Sequence, residues 1–280
     1  MEKIRVLFKK LTAYDHFLVF LIILTILKII NVFIIEGKEE GLHFAILGFG
    51  LIMISSVLHL VFSKLFDKNK KYLHSLISTF LIILMLSHAD PEPLRGVLIL
   101  LLLYVSKFFI TYKKQTIFNP VVFTIGGITL LALFVPFLEV PPLNFNGIDI
   151  RFPIFGKNIP LPLLPIILAL IFNVDGVKKH PLAISFIASS LLLGFFINAY
   201  NTDHFSYVII TSFIGAAIIV EPKTSPIKNK EQIFFGVIMA LFITGLTELK
   251  APNPTIIGLF IGNIGYFSFK KLILQTKKTD

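Results

Sequence analysis

Apolar residues run along this chain in ten blocks, at approximately 16–35, 42–62, 73–88, 95–112, 119–138, 161–174, 182–200, 205–220, 231–248 and 254–269. A helix that crosses a hydrocarbon core needs about 20 apolar residues, with a range of roughly 17 to 25. The blocks therefore predict an all-α integral membrane protein with ten transmembrane segments. Blocks three, six and eight are short. Short segments are candidates for tilted, broken or re-entrant helices that line a site.

The pattern repeats. Asn119-Pro120 opens block five, and Asn253-Pro254 opens block ten, 134 residues later. The turn Asp90-Pro91-Glu92-Pro93 before block four is answered by Glu221-Pro222-Lys223-Thr224-Ser225-Pro226 before block nine, with prolines offset by 131 and 133. The offset drifts to about 140–146 for blocks one and two, as an insertion in the proline-rich stretch 139–160 would produce. The chain thus divides into a first five-helix repeat over 1–138, an outer linker over 139–160 and a second five-helix repeat over 161–280. Five crossings are an odd number, so the second half starts on the opposite side of the membrane. That is an inverted-topology repeat, the plan in which ligand sites form between discontinuous helices. Alternation around Ile148, Ile150 and Phe152 predicts a short hairpin on the membrane surface within the linker, with no chemistry of its own.

Composition fits. The chain is 55% hydrophobic and only 15% charged, against roughly 25% charged in soluble domains. The first block is too long for a signal-peptide core and lacks a small-residue cleavage site, so no cleavable signal is expected. The sequence has no cysteine, which excludes thiolate-bound iron–sulfur and zinc sites supplied by this chain. The net charge is +10, but the basic residues flank the membrane, so the charge predicts contact with membrane lipid and no nucleic acid partner. Nineteen Lys and Arg fall on the side of the N-terminus and five on the other, while Lys28 and Lys107 lie inside blocks. This asymmetry predicts a multi-pass protein of the cell (inner) membrane with both termini cytoplasmic.

Candidate chemistry gathers in Lys107 to Gly127. Lys107 sits inside block four, Lys113-Lys114 make a basic turn, and Gly126-Gly127 follow Asn119-Pro120. Proline removes a backbone donor and glycines loosen a helix, so a broken helix end is expected whose freed groups can face a ligand. Lys107 either snorkels to the cytoplasmic interface or pairs with an anionic ligand group near Asn119 and Pro120. Lys28, nearer the outer end, reads as snorkelling. Glu221 follows the small residues Gly215-Ala216-Ala217, which permit close helix contact. Thr224 and Ser225 offer hydroxyls ahead of block nine, whose first N–H groups could hold a phosphate or a flavin edge; the alternative is a capped cytoplasmic loop.

His43 and His59 in block two, with His74 and His88 in block three, invite a di-haem reading. Fourteen residues keep His74 and His88 on one helix face, but sixteen set His43 and His59 about 160° apart, which disfavours it. Asn31, Asn173, Asp175, Asn198 and Asn263 are polar residues at block ends, and Asp175-Gly176 is the best of them for a polar cavity. The sequence has no phosphate loop, no Ser/His/Asp arrangement, no metal-ligand cluster and no nucleotide-binding domain. Any NAD(P)H or ferredoxin chemistry therefore requires a partner.

At Phe118-Asn119-Pro120-Val121-Val122-Phe123 and at Glu221 to Pro226, the chain resembles the RnfD/NqrB family. Its members are the flavin-carrying membrane subunits of Rnf ferredoxin:NAD oxidoreductases and of the sodium-pumping NADH:quinone reductase. The likeness spans most of blocks three to ten, with valines for the family's alanines and Glu221 for its more usual Asp. It implies a urea-transporter-like fold of two inverted halves with a flavin between them. It also implies electron passage between a partner reductase and a membrane or extracytoplasmic acceptor, coupled to Na+ or H+ movement. The residues expected at the flavin are Lys107, Asn119, Pro120, Glu221, Thr224, Ser225 and Asn253. Lys107 and the helix starts would stabilise a reduced, anionic ring; the hydroxyls and amide would bond its edge or ribityl chain. The partners implied are the other proteins of an electron transport complex or a soluble flavin/iron–sulfur reductase, which makes this chain a non-autonomous oxidoreductase subunit. The family attaches FMN to a threonine after the sixth helix. The corresponding place here, Val174 to Pro181, contains none, so non-covalent FMN or riboflavin is expected and covalent FMN is not. The alternatives are a small-solute channel or transporter, which the missing threonine favours, and a membrane anchor for a soluble reductase.

Overall fold

The computed structural model describes residues 12–66, 71–85, 93–112, 115–116, 119–132, 134, 150–154, 157–160, 163–196, 210–221 and 225–276. Among the described residues, ten helical segments follow the ten apolar blocks. The first half holds α1 (Ala13–Ile35), α2 (Lys38–Leu65), α3 (Tyr72–Met85), α4 (Pro93–Phe109) and α5 (Pro120–Ala132). The second holds α6 (163–177), α7 (His180–Phe196), α8 (210–218), α9 (Asn229–Glu248) and α10 (Pro254–Thr276). Helices α1, α2 and α9 are each long and apolar enough to cross a membrane. Ile46, Phe49, Leu60, Phe195, Phe196 and Phe234 point outward and are exposed. Such surface suits lipid better than water.

Local chemistry sets the helix starts. The Thr12 hydroxyl accepts from the Asp15 N–H at 3.4 Å, and the Asp15 carboxylate accepts from the Thr12 N–H at 2.8 Å, a reciprocal capping box at α1. Asn119 Oδ1 accepts from the N–H groups of Val121 and Val122 at 2.9 and 3.3 Å, with Pro120 as the first helical residue. α4 stops at Phe109, earlier than its apolar block, because Thr111-Tyr112 pair with Gln115-Thr116 as strands β1 and β2. A β-branched and an aromatic residue favour that extended pair. A second hairpin, β3 (Arg151–Ile154) with β4 (Lys157–Pro160), stands where alternation predicted one. It packs on α1, with Ile150 buried and the Asn31 amide donating to the Arg151 carbonyl.

Four helix contacts of the first half recur with a shift of five, while that of α1 with α2 does not. In the first half α2 packs on α3 and α4, α4 on α5, and α1 on α3; in the second, α7 packs on α8 and α9, α9 on α10, and α6 on α8. The principal helix contacts between the halves are α1 with α6 and α5 with α10. Both pairs run antiparallel. Gly176 at the end of α6 lies against Ala13 and His16 at the start of α1, and Asn253 before α10 donates to Thr129 Oγ1 near the end of α5 at 3.2 Å. The two glycines in α5 differ in role. A Cβ on Gly126 would stand 3.1 Å from Phe260 Cβ, so its bare backbone lets α10 approach, whereas Gly127 has nothing within 4 Å. The pair does not break α5, which runs through it.

Two π-turns, Leu170–Val174 in α6 and Ile214–Ile218 in α8, face each other. Each adds a residue to one turn and frees local backbone groups. The buried Asn173 amide donates to the Ala216 carbonyl at 2.8 Å and the Ala217 carbonyl at 3.3 Å. Asn173→Ala removes that donor and is expected to cost about 1–3 kcal/mol. Thermal unfolding in detergent reads the loss, and an unchanged midpoint would show that the two turns do not rely on this amide.

Candidate functional site

Lys107 occupies the last turn of α4 and is only 5% exposed. Its ammonium donates to the His74 carbonyl at 2.8 Å and sits 5.7 Å above the Tyr104 ring. It therefore does not snorkel to the interface. A carbonyl and an aromatic face stabilise the cation inside the bundle. The His74 ring meets the Tyr14 ring edge-on at 4.3 Å, and Tyr14 lies within electrostatic reach of Glu221.

From Glu221 the contacts continue into the second half. Ser225 Oγ donates to the Glu221 carbonyl. Lys179 Nζ donates to the Ser225 carbonyl at 3.0 Å and to the Ser225 hydroxyl. Both Lys179 and Ser225 are buried. Lys107 and Tyr14 thus share His74 as a neighbour, and Glu221 lies within electrostatic reach of Tyr14.

The other expected site residues divide. The β1–β2 hairpin returns the chain from α4 so that Asn119 and Pro120 follow at this same end. The Asn119 side-chain oxygen is engaged as the α5 cap, so it orders the helix start. Asn253 has a φ of 44°, a left-handed conformation that Asn tolerates better than most residues. Its amide reaches Thr129, ten residues beyond Asn119, roughly 15 Å along α5. Asn253 therefore belongs to the opposite end of the α5–α10 pair. Thr224 lies outside the described residues, as do His88, Asp90 to Glu92, Lys113, Lys114, Phe118, Asn198, Pro222 and Lys223.

No protein-family model matches this chain, and no curated protein matches it.

Lys179 is the residue that sequence reasoning missed. Two adjacent lysines between apolar blocks read as two solvated charges. Lys178 takes a φ of 54° and stays exposed, which turns Lys179 inward. Lys28 likewise proves buried, 3% exposed, in the middle of α1. The histidine faces fall as their spacing predicts: His43 is exposed while His59 is buried. Among the described residues no group of three or more His, Cys, Asp and Glu could hold a metal ion.

Chemically, this end of the bundle offers two buried ammonium groups, Lys107 and Lys179, and a carboxylate, Glu221, around a Tyr–His contact. The cations suit an anionic ring or a phosphate.

Proposed function

We propose that the chain is a multi-pass protein of the cell (inner) membrane, built of two inverted five-helix halves with both termini cytoplasmic. In this reading it serves as the membrane subunit of a flavin-dependent, ion-translocating electron transport complex. The observation that carries the reading is that buried Lys107 shares His74 with Tyr14, which lies within electrostatic reach of Glu221, itself bonded by Ser225. The two-half plan draws support from α1 against α6 and α5 against α10. Elements beside a two-fold axis touch their own counterparts, and an axis in the membrane plane makes those counterparts antiparallel.

The residues present fit a non-covalent flavin in part. Lys107 would face the ring edge that becomes anionic on reduction, and Ser225, held by Lys179, would keep the turn after α8 in position. Asn119 and Pro120 would fix the α5 start beside it. Asn253, at the far end of α5, would stabilise the contact between halves. When bound, the flavin would supply one- and two-electron transfer, fed by a soluble flavin or iron–sulfur reductase. The end of α6 carries no threonine for a phosphoester, which fits FMN or riboflavin held without a covalent bond.

The test is a visible spectrum of protein co-expressed with its neighbouring genes and purified in mild detergent, taken before and after acid precipitation. The expected result is flavin absorption that acid releases. Colour retained in the pellet, or no flavin in any preparation, contradicts the reading. Lys107→Ala removes one charge-assisted contact and is expected to weaken FMN retention about tenfold or more; unchanged retention removes Lys107 from the site.

A small-solute channel or transporter is the second reading. It is favoured by the engagement of Asn119 as a cap and by the position of Asn253, which set polar helix starts at the two ends of the α5–α10 pair. Solute flux into proteoliposomes from flavin-free protein would support it.

A further inference from the structure

The α5–α10 pair keeps one register along its length, yet its two ends differ. Ile256 on α10 stands 3.5 Å from where a Cβ on Gly126 would sit. Three residues further along α5 and three back along α10, the Asn253 amide donates to the Thr129 hydroxyl at 3.2 Å. In the other direction Phe123 packs on Phe260, with ring centroids 5.7 Å apart. Seven residues from the Gly126–Ile256 contact, on either helix, stand Asn119 and Asn263. Seven residues return a helix to within about 20° of the same face. The register therefore sets Asn119 and Asn263 opposite one another, at the end that carries Lys107.

No hydrogen bond joins them. Asn119 Oδ1 caps Val121 and Val122, but its Nδ2 group has no partner among the described residues. The Asn263 amide has none at either of its atoms. Both side chains are buried, at 5% and 8% exposure. A buried amide without a partner costs free energy, so such groups are rare in folded proteins. Packing does not explain Asn263 either. Gly262 beside it lies against Met239 of α9, and Ile256, Leu259 and Phe260 show that apolar side chains suit this face. Thr129 and Asn263 are 134 residues apart, as are Asn119 and Asn253. Equivalent pairs thus stand at the two ends, one closed by a hydrogen bond and one open.

We propose that Asn119 and Asn263 hold the neutral C=O/N–H edge of an amide, urea or imide in the gap between the start of α5 and α10. Asn263 Oδ1 accepts from the N–H of that edge. The Nδ2 groups of Asn119 and Asn263 donate to its carbonyl oxygen or oxygens.

The walls decide the class of ligand. α5 carries no charged residue, and α10 carries none before Lys270. Lys107, at the same end, donates to the His74 carbonyl. An ion in the gap would lack a counter-charge on either helix, whereas a neutral polar edge needs only the two amides. Two sources present that edge, a small amide solute and the ring imide of a flavin. The site stands on the α5–α10 register and needs neither Lys107 nor Glu221.

The test is thermal unfolding of the full chain in detergent, alone and with saturating acetamide or riboflavin. Without a probe, Asn263→Leu is expected to unfold at the wild-type midpoint or above it, because it removes an amide that the fold leaves unpaired. A midpoint more than about 4 °C lower would show that the fold itself uses the amide, and overturns the proposal. With a probe, the wild-type midpoint is expected to rise by about 3 °C or more. Asn263→Leu is expected to lose that rise. Asn119→Asp, which keeps the capping oxygen and removes the free donor, is expected to lose it too. A rise with acetamide alone assigns the site to a small solute, and a rise with riboflavin that Asn263→Leu loses assigns it to a flavin ring. No rise with either probe, or a rise that Asn263→Leu keeps, overturns the proposal. Lys107→Ala tests the flavin reading through a different residue, so the two fail separately.

Discussion

Gly236→Leu is expected to abolish folding of the second half. Gly236 lies in α9 where it crosses α7. A Cβ there would stand 2.2 Å from Ser185 Oγ and 3.0 Å from both the Leu182 carbonyl oxygen and the Phe186 amide nitrogen. The serine can rotate away, but the backbone of α7 cannot. Among the described residues α7 and α9 share the most extensive helix contact, so forcing them apart disturbs the whole half. Gly236→Ala is expected to cost about 1–3 kcal/mol. Leucine adds three further heavy atoms and takes the loss to a large fraction of the roughly 5–15 kcal/mol that a typical domain has. The readout is the yield of monodisperse protein on size-exclusion chromatography in detergent. Gly245→Ala, also in α9 but with nothing within 4 Å, serves as the control. It is expected to be neutral or to stabilise by up to about 1 kcal/mol, since alanine suits a helix interior better than glycine. Wild-type yield of monodisperse Gly236→Leu would show that the two helices do not cross at this glycine.

Lys179→Ala is expected to have the second largest effect. The side chain is buried, and its ammonium holds both the carbonyl and the hydroxyl of Ser225. Truncation leaves the Ser225 carbonyl short of a donor and opens a gap where the lysine stem ran. The two effects sum to about 2–4 kcal/mol, or a fall in unfolding midpoint of roughly 5–10 °C. Ser225→Ala keeps the carbonyl acceptor and is expected to cost only about 1 kcal/mol. Lys178→Ala, next door and exposed, is expected to change stability by less than about 0.5 kcal/mol. If Lys179→Ala and Lys178→Ala behave alike, the turn after α8 is not held by this lysine, and the site loses the brace that positions Ser225.

The helices were legible in the sequence because burial in lipid or in a membrane-type core demands long apolar runs. Asn119-Pro120 announced a helix start through its own backbone chemistry, and α5 begins there. The hairpin at Arg151–Pro160 was legible from alternation. The β1–β2 pair was not, because Thr111 and Tyr112 continue an apolar block and only a tertiary setting decides between strand and helix. The π-turns were invisible for another reason: one extra residue in one turn barely alters a 3.6-residue periodicity. In the site, Lys107, Glu221 and Ser225 were legible as unusual residues beside helix breaks, yet no motif marked Tyr14 and His74, which stand beside Lys107 and within electrostatic reach of Glu221. Lys179 was hidden by its neighbour, since the sequence cannot tell which of two adjacent lysines turns inward.

The proposed inverted halves set on which side of the membrane each helix junction lies. The chain has no cysteine of its own, so single cysteines can report sidedness without background. Lys38, the first residue of α2 after the α1–α2 junction, and Lys178, between α6 and α7, occupy corresponding places in the two halves, and both are exposed. The deciding measurement is labelling of Lys38→Cys and Lys178→Cys in intact cells with a membrane-impermeant thiol reagent, repeated after permeabilisation. With inverted halves and cytoplasmic termini, Lys38→Cys is expected to react from outside, while Lys178→Cys reacts only once the membrane is opened. Labelling of both from the same side would contradict it.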